Sequence, residues 1–200
     1  MHSLPRACDI VSLHNQALGA PSWPEPARAS ATGGVWREIE ANHRFNALLW
    51  DEEDQARRAS VEASAIAANK RAIDRYNQAR NDTIERIDEH LLAALASVLP
   101  APGGRLHSET AGAIIDRLSI LALKIFHMRL QTERRDAPRE HLAACRHKLA
   151  RLDAQRADLA MCLDELLADC SSGRAHFNVY RQYKMYNDPA FNPYLYGARE

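Results

Sequence analysis

The sequence predicts an all-α protein: a bundle of about four long helices with an irregular N-terminal arm and an aromatic C-terminal segment. Three observations predict it. Apolar residues recur at helical spacing over four long stretches. Proline and glycine clusters, at Pro21, Pro24, Pro26, Gly33 and Gly34 and again at Pro100, Pro102, Gly103 and Gly104, separate the stretches. The last stretch carries Leu142, Cys145, Leu149, Leu152, Leu159, Leu163 and Leu166 at heptad spacing. The chain divides into an arm over residues 1–34 with a short helix near Asp9 to Leu18, a bundle over 35–170, and an aromatic cover over 171–200.

The first bundle helix, Trp36 to Arg57, places Val35, Trp36, Ile39, Phe45, Leu49 and Trp50 on one arc. Asn42, His43, Asn46, Glu53, Asp54 and Arg57 fall inside that same arc, whereas Arg37, Glu40, Arg44 and Asp51 face solvent. An inward polar group costs on the order of 1–3 kcal/mol unless it is hydrogen-bonded. The arc therefore requires partners, either side chains in a structural network or water, metal or ligand in a site. His43 stands one heptad from both Trp36 and Trp50, and reads first as a satisfied core residue and second as a base.

The second helix runs from about Glu62 to Leu95 on Ile66, Ile73, Tyr76, Ile84, Ile87 and Leu91. Lys70, Asn77, Arg80, Asn81 and Asp88 intrude into its apolar arc, with Asp74 and Glu85 at the edge. Leu99 to His107 must turn. Ser108 is the expected N-cap of a third helix reaching Gln131, whose C-terminal half is apolar nearly all round and is expected to be central. Glu109, Gly112, Asp116 and Ser119 form a narrow stripe on that helix. Gly112 costs roughly 1 kcal/mol against alanine there, which implies close approach by another backbone or a ligand. The fourth helix, Pro138 to about Asp169, reads as packing. Tyr180, Tyr183, Lys184, Met185, Tyr186 and Asn187 then cover the bundle's open end or close over its polar stripes.

In composition, 46% hydrophobic and 26% charged residues over 200 positions describe one globular domain and exclude disorder throughout. The 26 basic and 26 acidic residues cancel without a block of either sign, so neither nucleic acid nor an anionic membrane is the expected partner. Met1 to Leu18 lacks the apolar run of a signal peptide, and Ile114 to Met128 is too short and too charged to span a bilayer, so a soluble cytoplasmic protein is expected. Cys8, Cys145, Cys162 and Cys170 show no paired spacing and read as reduced thiols.

The runs Asn42-His43-Arg44-Phe45-Asn46, Leu49-Trp50, Glu53-Asp54, Asn77-Gln78, Arg80-Asn81, Ser108-Glu109-Thr110, Ile115 to Leu121 and Gln182 to Asn187 resemble domain-of-unknown-function family 4254 over roughly residues 35–195. The resemblance implies a bacterial all-helical protein whose genes tend to lie among those for cell-surface glycan synthesis, and it carries no activity. A looser similarity is to the all-helical nucleotide pyrophosphohydrolases, in which carboxylates on neighbouring helices hold magnesium. Here Glu53, Asp54, Glu85 and Asp88 are the corresponding oxygen donors, although Ala56 and Arg57 stand where that class places a further glutamate.

The expected site is a polar cavity between the first two bundle helices and the start of the third, taking a small anion such as a sugar phosphate or nucleotide sugar. Lys70 and Arg80 are its anion partners, and Asn42, Asn46, Asn77 and Asn81 orient the ligand. Arg57, Glu109, Asp116 and Lys184 complete the lining, with Glu53, Asp88 and His43 as candidate acid or base groups. The rival expectation is a non-catalytic accessory bundle in which the same charges neutralise one another. A homo-oligomer is compatible with either. In the cavity reading, Asn46→Leu and Asn77→Leu leave stability unchanged, because their partners are water.

Overall fold

The computed structural model describes residues 4–25, 33–99, 101–183, 185 and 188–197, and it is all-α. After a short α1 (Ala7–Gly19), the chain forms two long antiparallel hairpins, α2 (Val35–Gln55) with α3 (Ala63–Ala94) and α4 (Ala111–Thr132) with α5 (Arg139–Ser171). A final short turn, α6, spans Pro193–Tyr196. No helix among the described residues is long and apolar enough to cross a membrane.

The antiparallel register of α2 and α3 is fixed at both ends by polar contacts. Asn69 Nδ2 donates to Glu52 Oε2 at 2.7 Å near the hairpin turn, and Arg86 Nε donates to Glu38 Oε2 at 2.6 Å at the far end. α4 packs against α1, α2, α3 and α5, which makes it the central helix, although its buried positions run from Ala111 to Ile125 and its C-terminal end is more open than expected, with Leu130 46% exposed. Ile39, Ile87, Leu91, Ile114, Ile115, Leu118 and Leu163 are fully or almost fully buried around it, with Ile10 of α1 closing the top of that core.

The start of α4 lies two residues beyond the expected one. Thr110, not Ser108, is the N-cap, its hydroxyl accepting from Ala113 N at 3.1 Å. Gly112 follows at once and is where α3 and α4 touch. A Cβ there would lie 2.6 Å from the Ile84 carbonyl oxygen and 2.8 Å from Asp88 Oδ1. The Gly112 N–H itself donates to Asp88 Oδ1 at 2.6 Å, so the close approach expected at this glycine is to a neighbouring helix.

Two residues of strand, β1 (Arg105–Leu106), pair in parallel with β2 (Ala175–His176) directly after α5. Gly173 makes the turn into β2 with φ of 74°, a conformation that favours glycine, and a Cβ there would meet the Leu99 carbonyl oxygen at 2.5 Å. On α5, Leu159, Leu163 and Leu166 are buried, while Leu142, Leu149 and Leu152 are only half-buried, so its first half lies at the bundle's edge.

Beyond Phe177, which is buried, the C-terminal segment is fastened by polar groups and not by its rings. Arg181 pairs with Glu85 and Glu89 on α3, and Asn81 Nδ2 donates to Gln182 Oε1 at 2.9 Å. Tyr183 and Tyr194 are 84% and 89% exposed, so these aromatics do not bury a face against the bundle. Tyr186 and Asn187 lie outside the described residues.

Candidate functional site

On α2, the positions one turn apart at Asn42, Asn46, Trp50 and Asp54 form a single ladder, because residues four apart stack on one helix face. Its first two rungs enter a closed network with the central helix. Asp116 Oδ1 accepts from Asn42 Nδ2 at 3.0 Å and from Asn46 Nδ2 at 2.9 Å. Asn46 Nδ2 also reaches Ser119 Oγ at 3.0 Å and Asn42 Oδ1 at 3.3 Å, so two amide hydrogens are shared among three acceptors. Thr83 donates its hydroxyl hydrogen to the Arg80 carbonyl at 2.6 Å and accepts from Asn42 at 3.4 Å. Ser119 Oγ also shares a hydrogen bond with His43 Nδ1, 2.8 Å away. Arg80 Nε lies 3.7 Å from Asp116 Oδ1, close enough for charge attraction.

The structure thus brings Asn42, His43, Asn46, Arg80 and Asp116 together and disperses the other expected site residues. Lys70 is exposed and pairs with Asp74 at 2.8 Å. Asn77 is half-buried and makes none of the network's hydrogen bonds. Asn81 is engaged with Gln182, and Glu109 with Arg117. Arg57, in the turn after α2, reaches back to Glu53 at 3.1 Å. Lys184 lies outside the described residues.

The metal set of Glu53, Asp54, Glu85 and Asp88 is corrected by the antiparallel register. Glu53 and Asp54 lie at the hairpin turn beside Asn69, whereas Asp88 sits beyond Arg86 at the other end of α3. At about 1.5 Å per residue the two pairs are roughly 28 Å apart along the axis. Among the described residues, no three His, Cys, Asp or Glu side chains gather closely enough to hold a metal ion. Glu85 is instead the anchor for Arg181 at 2.6 Å.

Asp88 is buried between α3 and α4, and burial pushes its carboxyl up to about 6, partly offset by the hydrogen bonds from Thr110 and Gly112. A carboxyl raised on folding contributes stability below its unfolded value and loses it as pH rises through the folded one. Asp88→Asn keeps an acceptor for Gly112 and cannot ionise. From pH 4 to 7, wild type should therefore lose up to about 3 kcal/mol relative to this variant, measured by urea unfolding at intervals across that range. A constant difference between the two proteins would show that Asp88 does not titrate there.

The last two rungs of the ladder open into a cleft of about 700 Å³ between the C-terminal ends of α2 and α4 and the first half of α5. Trp50 stacks on His127 with ring centroids 4.4 Å apart and planes 4° from parallel. The indole N–H of Trp50 is buried without a hydrogen-bond partner. Lys124, Lys148 and Arg151 line the cleft as three basic side chains beside one acidic one, Asp54, with Gln131 and Gln155 as amides. Burial lowers the His127 pKa, against the opposing pull of Asp54 and Asp51, which favours the neutral ring in the stack.

These cleft residues were largely invisible to sequence patterning, since Lys124 interrupted an apolar run and α5 read as packing alone. The available signal was the recurrence of Lys148, Arg151 and Gln155 at three- and four-residue spacing beside the half-buried Leu152.

A family model whose description is protein of unknown function (DUF4254) matches residues 36–179. No curated protein and no solved structure matches the chain.

Proposed function

We propose, for a chain that belongs to the DUF4254 family of proteins of unknown function, that it binds a small ring-bearing anion in the cleft between α2, α4 and α5. The ligand class is a sugar phosphate or nucleotide sugar. The observation that carries the reading is the parallel Trp50–His127 wall set among Lys124, Lys148 and Arg151. A flat aromatic face offers stacking to a base or to the apolar face of a sugar, and clustered cations offer charge-assisted hydrogen bonds to phosphate oxygens. Asp54 supplies one acceptor for a hydroxyl, and the Gln131 and Gln155 amides supply donors. The setting we assign is cytoplasmic and connected to cell-surface glycan synthesis, an association that rests on the family resemblance alone. The charge balance favours a small ligand over nucleic acid.

For Asn42, Asn46, Asp116 and Ser119 themselves, the closed hydrogen-bond network favours the second reading, an internal network that fixes α2 on α4. The cleft and the network are then one ladder with two duties.

Calorimetric titration with a nucleoside diphosphate sugar, a sugar monophosphate and inorganic phosphate tests the cleft. Binding should quench Trp50 fluorescence, and Lys148→Ala or Arg151→Ala should each weaken it roughly tenfold, the worth of one charge-assisted contact of about 1.5 kcal/mol. Absence of binding by all three probes at millimolar concentration, or binding indifferent to both substitutions, would remove the cleft as the site.

A further inference from the structure

The buried network has a cover that lies outside the family-matched residues 36–179. His43 of α2 stacks with His14 of α1 at 4.3 Å between centroids, and also with Trp23 of the arm at 5.1 Å. Four ring nitrogens of this stack have no hydrogen-bond partner: both of His14, Nε2 of His43 and Nε1 of Trp23. Both imidazoles are completely buried. Buried polar atoms are nearly always satisfied, so four orphans in one stack mark a seam, and not a finished core.

Two neutral imidazoles tolerate that seam, and an imidazolium does not. The ionic groups packed around it give no counter-charge. Arg156 of α5 adds repulsion toward His14 and is itself bonded to Asp153 and to Asn15 of α1. Asp164 of α5 is engaged by the Ala7 N–H at 2.8 Å, and Asp9 of α1 by Arg6. On α4, Asp116 is committed to the two asparagines, with Arg80 of α3 beside it, leaving Ser119 as the group that touches His43. Burial lowers His43 to about 4 against the opposing effect of the His14 main chain, and holds His14 well below the ordinary imidazole range with help from His43 and Arg156.

The helix that carries His14 is short and meets the long helices along one face only. It buries Ala7, Ile10 and His14, its N-terminus is held by Asp164 of α5 and not by a cap of its own, and it continues into the irregular arm bearing Trp23. We propose that α1 and Trp23 form a proton-released lid over the His43–Ser119 end of the network, which lifts when the stacked histidines are protonated while α2 to α5 stay folded. Both histidines have depressed values in the closed form, so closure is complete above about pH 6.5 and weakens as pH falls through that value toward 4. Lifting uncovers the edge of His43, the Ser119 hydroxyl and the Asn46 amide, groups that are otherwise sealed.

Hydrogen–deuterium exchange of the full chain, corrected for intrinsic rate, reads the opening at about pH 7.5 and about pH 5. His43 alone should favour the open form roughly 30-fold more at the lower pH, and the pair together by considerably more. That rise is expected in α1 peptides and not in α5 peptides over Leu159 to Cys170. His14→Phe should cut it at least tenfold, and His14→Leu serves as a second apolar replacement, so a folding defect peculiar to one ring does not decide the result. Equal α1 protection at both pH values, loss of α1 and α5 protection together, or a full rise surviving in both variants would overturn the lid.

Discussion

Gly112→Ala should lower stability by roughly 3 kcal/mol, in urea unfolding at pH 7, despite replacing a helical glycine with the best helix former. Two effects compete. Helix propensity favours alanine by about 1 kcal/mol. Against it, the added methyl would sit 2.6 Å from the Ile84 carbonyl oxygen and 2.8 Å from Asp88 Oδ1. Neither neighbour is a flexible side-chain end, since one is main chain and the other is held by the Gly112 N–H itself. Relief requires α3 and α4 to separate, which lengthens that buried hydrogen bond and loosens Ile87 and Ile114 in the core. Overpacking with loss of a buried hydrogen bond costs about 3–5 kcal/mol in combination, so the steric side wins. Gly19→Ala is the control, because nothing lies within 4 Å of a Cβ there. A Gly112→Ala protein as stable as wild type would mean that α3 and α4 are not in this contact.

Asn46→Leu should cost about 2–4 kcal/mol, while Asn77→Leu should stay within about 1 kcal/mol of wild type. This reverses, for Asn46, the expectation that follows from a water-filled cavity. Leucine at 46 removes one of the two amide donors to Asp116 Oδ1, the donor to Ser119 and the partner of Asn42 Oδ1, all inside the bundle. Those acceptors then stay buried with fewer partners, and desolvation outweighs what the leucine gains by burial. Asn77 is half-buried outside the network, so its replacement strands nothing in it. Chemical denaturation of both variants side by side checks the contrast, and equal behaviour of the two would dissolve the distinction between network and periphery.

The four long helices, the central place of α4 and the contact at Gly112 were all legible, because each rests on periodicity or on the cost of a glycine inside a helix. Which carboxylates meet was not. A helical arc gives the angle of a side chain about its axis and says nothing of its height along an antiparallel partner. Glu53 and Asp88 therefore shared an inward angle while lying at opposite ends of the α2–α3 pair. The helix start shifted for a different reason, since Thr110 and not Ser108 caps α4, and the Gly112 N–H then meets Asp88 of another helix, a contact that no local pattern carries. His14 and Trp23 meet His43 across the arm, and no local pattern encodes such a meeting. Strands two residues long, likewise, are too short for an alternating pattern to register.

Those two short strands make a ring of the second hairpin. Once Arg105 stands beside Ala175 and Leu106 beside His176, everything from α4 to α5 is enclosed in one closed loop of chain. Closing a loop of that size carries a length-dependent entropy cost of about 4 kcal/mol. The main-chain bonds that hold it, among them Arg105 N to Arg174 O and His107 N to His176 O at 2.8 Å each, contribute only about 1 kcal/mol apiece. They cannot close it alone. The ladder becomes favourable only after α4 and α5 have packed along their length and brought the strands together. The strands are therefore a clasp on a ring that the packed helices have already shaped, with Ala175 and Phe177 tying it into the same core.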